Sequence, residues 1–420
     1  MKKIKQITSM TIIVVMLVSI ILMLVNSYSY ASQIGEYTGL DESRYPGIKQ
    51  AIQELKSKHP NWNFKIMYTG LDWADVITNE YSGHRQYAKN QVGYASNYKG
   101  DWICPLCRDY SKAGWYHASL IAIEYMMDPR NSLDDVSVFQ FEELTNGGYD
   151  ENAINSMVAG TFLQGHTSEI IDATNQTGIN PYYVVAKMLQ EQGKGGSPLS
   201  SGELGYYNPF NIGAAGSTSG EDIANGLAYA RNKGWDTLTK GIVGGTNFIA
   251  SNYINRGQNT DYLQKFDVDD SDGRLYSNQY MQNIMGAENE GRIMRTTYIN
   301  SGIYEASHTF IIPVYENMPY AKVSRPSTED TDANVTTITT KKDLVKISSI
   351  SNLRIRSSQT GDTIDWISPG QIVTRLEKAS TKVNGTYWDK IRTDSGVEGF
   401  IARETYEYES VYKLYLVPVN

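Results

Sequence analysis

The chain has 420 residues, 40% hydrophobic and 20% charged, with a formal net charge of −8. That length allows two or three domains and a sizeable core. The acidic balance argues against a nucleic-acid partner, and 2 cysteines are too few for a disulfide scaffold.

The first segment reads as an export signal. Lys2, Lys3 and Lys5 precede a run from Ile12 to Val25 that is apolar except for Ser19, and Ser29-Tyr30-Ala31 follows as a small-residue cleavage site. The expectation is a signal peptide over 1–31. An uncleaved membrane anchor is the alternative, because the apolar run comes close to spanning length. Cleavage would remove three lysines and take the formal charge from −8 to −11. Such a surface still accepts a neutral glycan, and the 31 tyrosines offer rings that pack on sugar faces.

Residues 39–144 read as an α/β accessory region. Ile48, Ala51, Ile52 and Leu55 fall at helical spacing, with Pro46 near the start. Trp62, Phe64, Ile66 and Tyr68 alternate as in a strand. Cys104-Pro105-Leu106-Cys107 follows Trp102. In an exported protein a disulfide between Cys104 and Cys107 is the default. Half a zinc site, with His117 or His84 helping, and a redox pair stay open.

Residues 146–319 read as mostly helical. Ile154, Met157, Val158 and Phe162 share one helical face. Thr167 or Ser168 is expected to cap a helix that ends at Gly178. Asn180-Pro181 starts the next helix, with a cap residue and then proline in the first turn. Val184, Val185, Met188 and Leu189 form its apolar stripe, and Gly193 stops it. Asp236 is expected to cap a helix carrying Leu238, Ile242 and Ile249.

The chemistry centres on Glu191, in the last turn of the helix after Asn180. A helix C-terminus carries partial negative charge and disfavours a second negative charge there. A carboxyl that keeps its proton near neutral pH is what a glycoside hydrolase needs for its leaving oxygen. On helix logic alone the plain reading is a solvated surface glutamate. The next residues change that. A loop with Gly193, Gly195, Gly196, Gly202 and Gly205 leads into Tyr206-Tyr207-Asn208-Pro209-Phe210-Asn211-Ile212-Gly213. Glycines allow close approach of a ligand, and adjacent rings and amides suit an N-acetylated sugar.

Gln190-Glu191-Gln192-Gly193, the 206–214 stretch, Gly241-Ile242-Val243-Gly244-Gly245, Tyr253-Ile254-Asn255 through Tyr262, and Ile312-Pro313-Val314-Tyr315 occur in one order. Together they resemble the endo-β-N-acetylglucosaminidase module of glycoside hydrolase family 73, found in autolysins of Gram-positive bacteria. The resemblance implies an α+β fold with a lysozyme-like, mostly helical catalytic domain over 146–319. It implies a peptidoglycan hydrolase that cleaves the β-1,4 bond after N-acetylglucosamine, needs no metal or cofactor, and acts at the cell wall or surface. Glu191 maps onto the essential glutamate. Tyr206, Tyr207, Asn208, Phe210 and Asn211 map onto the glycan groove. Glu221 is the candidate second carboxylate, although Ser219-x-x-Asp222 beside it also reads as a capping box.

The rest of the chain follows from composition and pattern. Residues 322–342, rich in Ser, Thr and Asp, are expected to form a flexible linker. Residues 344–410 show short strands between turns at Gly361, Pro369-Gly370, Gly385 and Gly396. Asn352-Leu353-Arg354-Ile355-Arg356-Ser357, Tyr387-Trp388-Asp389 and Gly399-Phe400-Ile401 resemble a bacterial SH3 domain, which implies a small β-barrel that binds cell wall. Asp267 to Gly273 lacks an acid at the first calcium position and reads as a solvated turn. The rival functions are a lytic transglycosylase on the same fold and a non-catalytic wall-binding protein.

Overall fold

The computed structural model describes residues 32–81, 90–93, 100–104, 115–145, 148–215, 219–328, 343–347, 352–368, 370–379, 382–407 and 411–419. The expected export segment 1–31 lies outside them, as do Cys107 and His84. The disulfide expected at Cys104 therefore falls partly outside the described residues, and Cys104 itself is buried.

The alternating run around Trp62 forms the Asn63–Asp72 strand, in the middle of a three-stranded sheet. Gln33–Glu36 pairs antiparallel on one side. Thr309–Glu316 pairs parallel on the other, with Asn63 opposite Thr309 and Tyr68 opposite Val314. Parallel neighbours need a long crossover, and here the whole helical body supplies it. Met67 is buried as well as Phe64 and Ile66, because the sheet is covered where simple alternation predicts an open face. Residues 39–144 and 146–319 thus share one hydrophobic core, from Leu40 to Tyr315. Trp62 joins the two halves. It stacks on His59 at 3.8 Å and meets Phe310 at 5.1 Å and Phe139 at 5.3 Å.

The helix carrying Glu191 spans Pro181–Gln192. The Asn180 side chain accepts from Tyr182 N at 2.9 Å, and Gly193 ends the helix at φ +69. Two expected caps are displaced. The Thr167–Thr177 helix takes His166 at its N-cap position, because the Thr167 hydroxyl donates to Asn155 Oδ1 instead. The Leu238–Asn252 helix is capped by Thr237, while Asp236 pairs with Lys240 at 2.6 Å.

The Gly286–Asn300 helix lies on the Ser137–Phe141 turn, with Gly291 at the contact. A Cβ there would stand 2.4 Å from Gln140 N and 2.7 Å from Phe139 C, both backbone atoms. Gly291→Ala is expected to destabilise this unit by about 1–3 kcal/mol through overpacking. A lower urea midpoint at unchanged slope would show it.

The first residues of the segment expected as a linker are tied to the helical body. The Arg130 guanidinium donates to the carbonyls of Pro319, Tyr320 and Ala321, and Val323 N donates to Asp128 Oδ2. Asp101 N donates to Ser327 O at 3.0 Å. Residues 319–327 are therefore fixed by hydrogen bonds rather than flexible.

The C-terminal strands form one antiparallel sheet ordered Leu416–Val419, Asp343–Ile347, Ile372–Glu377, Thr386–Arg392, Glu398–Glu407, Leu353–Arg356, Thr363–Ile367, with Val411–Leu414 also on Glu398–Glu407. It extends past 410 and has its own core of Val345, Ile347, Ile355, Ile367, Val373, Ile391, Ile401 and Leu416. Buried Asp389 is held by Arg403 at 2.8 Å and Arg375 at 3.2 Å.

Candidate active site

Tyr182, Tyr183, Val184, Val185, Ala186, Lys187 and Met188 of the Pro181–Gln192 helix are all buried. The helix reaches solvent only in its last turn, where the Glu191 side chain is 20% exposed. Asn211 Nδ2 donates to Glu191 Oε2 at 3.1 Å and to Glu191 O at 2.9 Å. The Tyr280 hydroxyl reaches Oε1 at 3.5 Å, and Lys187 Nζ lies 3.8 Å from the same oxygen. The carboxyl is thus oriented by donors from two separate segments, with an ammonium nearby, while it stays partly exposed.

The 206–214 loop holds Asn211 in place. Asn211 adopts a left-handed backbone, φ +51, which Asn tolerates better than most residues. Its Oδ1 accepts from Gln192 Nε2 at 2.6 Å, and the Gln192 Oε1 accepts from the Ser197 hydroxyl. The two motifs flanking the glycine-rich loop therefore lock to each other.

Two residues expected in the glycan groove belong to the scaffold. Asn208 is fully buried; its Nδ2 donates to Ile212 O and Gly226 O, and its Oδ1 accepts from Ile212 N. Both amide hydrogens and the amide oxygen are engaged inside the protein. Phe210 is buried against Gly245, where a Cβ would lie 2.0 Å from its ring. Tyr206, Tyr207 and Asn211 remain partly exposed. Arg231 sits 5.6 Å from the Tyr206 ring centroid. Glu221 is exposed in the first turn of the Ser219–Lys233 helix.

Lys187, Tyr280 and Glu290 are the site residues that sequence reasoning missed. Lys187 gave a signal, a charge inside an apolar stripe one turn before Glu191. Tyr280 and Glu290 gave none, since they lie far along the chain and in no local pattern.

The expected solvated turn at 267–273 is buried in its first half, at Asp267, Val268 and Asp269, and reaches solvent at Ser271 and Gly273. Asp267 Oδ2 accepts from Ser277 N and Asn278 N, and Asp269 accepts from Ser271 N and the Ser32 hydroxyl. Asp272 pairs with Arg256 at 2.9 Å and Arg274 at 3.1 Å. These carboxylates close the loop on itself.

No family model matches the chain. The bifunctional autolysin of Staphylococcus epidermidis (strain ATCC 12228 / FDA PCI 1200) is 29% identical over 217 residues, 48% of this chain and 16% of that protein. The bifunctional autolysin of Staphylococcus aureus (strain MSSA476) is 28% identical over 217 residues, 48% of this chain and 17% of that protein. Over that stretch the chain is homologous to the bifunctional autolysins. The match takes in only about a sixth of the length of these autolysins. Among solved structures, S. aureus glucosaminidase B is 24% identical, with 60% of this chain and 94% of that chain covered at a TM-score of 0.45. A TM-score below 0.5 adds no weight to the sequence match with the autolysins.

Proposed function

We propose that the chain is a peptidoglycan hydrolase that cleaves the β-1,4 bond after N-acetylglucosamine, with Glu191 as general acid. The observation that carries the reading is the Glu191 carboxyl itself. It stands at the open end of an otherwise buried helix, oriented by Asn211 and Tyr280 and flanked in the 206–214 loop by the partly exposed Tyr206 and Tyr207. A general acid needs a fixed direction toward the leaving oxygen and access from solvent. The homology to autolysins supports a cell-wall glycan as substrate and the cell surface as the place of action.

Mass spectrometry of digested wall tests it. Reducing N-acetylglucosamine ends are expected. Anhydromuramic ends would replace the reading with a transglycosylase, and intact glycan would leave a binding protein.

Wall attachment is assigned to the C-terminal sheet, read as SH3-like. Trp366 there is 54% exposed, with the Arg354 guanidinium 5.2 Å from its ring centroid. Trp366→Ala is expected to weaken co-sedimentation with purified wall about tenfold, as loss of an aromatic anchor does, with cleavage of soluble glycan unchanged.

A further inference from the structure

Lys187 stands one helical turn before Glu191. Its Nζ lies 3.8 Å from Glu191 Oε1 and 2.6 Å from Glu290 Oε2. It also sits 4.5 Å from the Tyr280 ring centroid. The Lys187 and Glu290 side chains are each 8% exposed. Glu290 is fixed a second time, because Gln190 Nε2 donates to its Oε1 at 2.7 Å.

An ammonium beside a carboxyl favours the ionised form. A general acid has to carry a proton. A buried Lys187 without a counter-charge would therefore disarm Glu191. Burial, the largest single influence, opposes charge on Lys187, but Glu290 together with the smaller effects of Tyr183, Tyr280 and Asp261 outweighs it and holds the ammonium well above its ordinary range.

The other titratable groups facing the cluster are Asp261, Tyr183, Tyr253 and Tyr280, and burial disfavours the charged form of each. Burial first, and then the charge of Glu290, hold the Asp261 carboxyl well above the usual carboxylate range. Burial pushes the Tyr280 hydroxyl up to about 12, raises Tyr253, and raises Tyr183 further still. Lys187 and Glu290 are the ion pair that stands beside Glu191.

We propose that Glu290 is a positioning residue that draws Lys187 away from Glu191 and neutralises it, so that the Lys187 ammonium does not favour the ionised form of Glu191. This rests on Glu191 being the general acid. It adds an electrostatic guard supplied by the Gly286–Asn300 helix.

The test is the pH dependence of glycan cleavage. Asp261→Asn serves as the baseline, because it stops a second buried carboxyl from replacing Glu290. Adding Glu290→Gln is expected to move the alkaline limb down by about one pH unit or more, with about a tenfold loss at pH 7. Adding Lys187→Gln as well is expected to bring the limb back toward the baseline. A structural role would scale the whole profile without moving it. An unmoved limb, or one that Lys187→Gln does not restore, overturns the proposal. If the Gln variant does not fold, Glu290→Asp keeps a carboxylate but withdraws it by one methylene. It is expected to give a smaller shift of the same sign, and no shift overturns the proposal. Full activity of Glu191→Gln would instead overturn the assignment of the acid.

Discussion

Glu191→Gln is expected to lower glycan cleavage by about 10²–10⁴-fold, the usual contribution of a positioned general acid, while the protein stays folded. The substitution is nearly isosteric. A glutamine oxygen can still accept from Asn211 Nδ2, which lies 3.1 Å from Glu191 Oε2 in the native site. Lys187, the buried charge beside it, keeps its ion pair with Glu290 at 2.6 Å, so no buried charge is stranded by the change. On the proposed function, what disappears is the proton delivered to the leaving oxygen. Release of reducing ends from purified wall measures the loss, and far-ultraviolet circular dichroism with a thermal melt checks the fold. Activity within tenfold of wild type would remove Glu191 from the chemistry and send the search to the other groups around Lys187. Asn211→Ala, by contrast, would leave the proton in place and lose its direction. That separates the acid from the groups that aim it.

Local chemistry was legible in the sequence, and long-range pairing was not. Asn180, Pro181 and Gly193 bound the Pro181–Gln192 helix as expected, because capping depends on residues within one turn. The same logic missed at Thr167, whose hydroxyl is drawn to Asn155 on a neighbouring helix, and at Asp236, which Lys240 holds in an ion pair. The strand through Phe64 was readable as a strand, but its parallel partner around Phe310 lies some 240 residues away along the chain. Nothing in residues 39–144 alone says that their core is completed by 309–316. In the site, the motif around Asn208 was visible, but a motif does not reveal which side chains point inward. Asn208 and Phe210 serve the loop, while Asn211, in the same stretch, reaches Glu191. Tyr280 and Glu290 arrive only when the chain folds back, so no spacing rule finds them.

Arg130→Met is expected to cost about 3–5 kcal/mol, the range for removing one partner of a buried ion pair. Asp128 is fully buried and receives Arg130 Nε and Nη2, each at 2.8 Å. Methionine keeps most of the volume of the side chain but leaves this carboxylate without its cation. Two backbone donors, Arg130 N and Val323 N, would remain, and they do not neutralise it. The same guanidinium also ties down the carbonyls of residues 319–321. These follow directly on the Thr309–Glu316 strand, the edge that closes the three-stranded sheet. The loss should therefore show twice: as a lower urea midpoint, and as faster proteolytic cutting within 319–328 under native conditions. Asp128→Asn/Arg130→Met removes the stranded charge and is expected to recover part of the stability without restoring the strap. A double variant as unstable as Arg130→Met would mean that the carbonyl contacts, and not the buried charge, dominate at this corner.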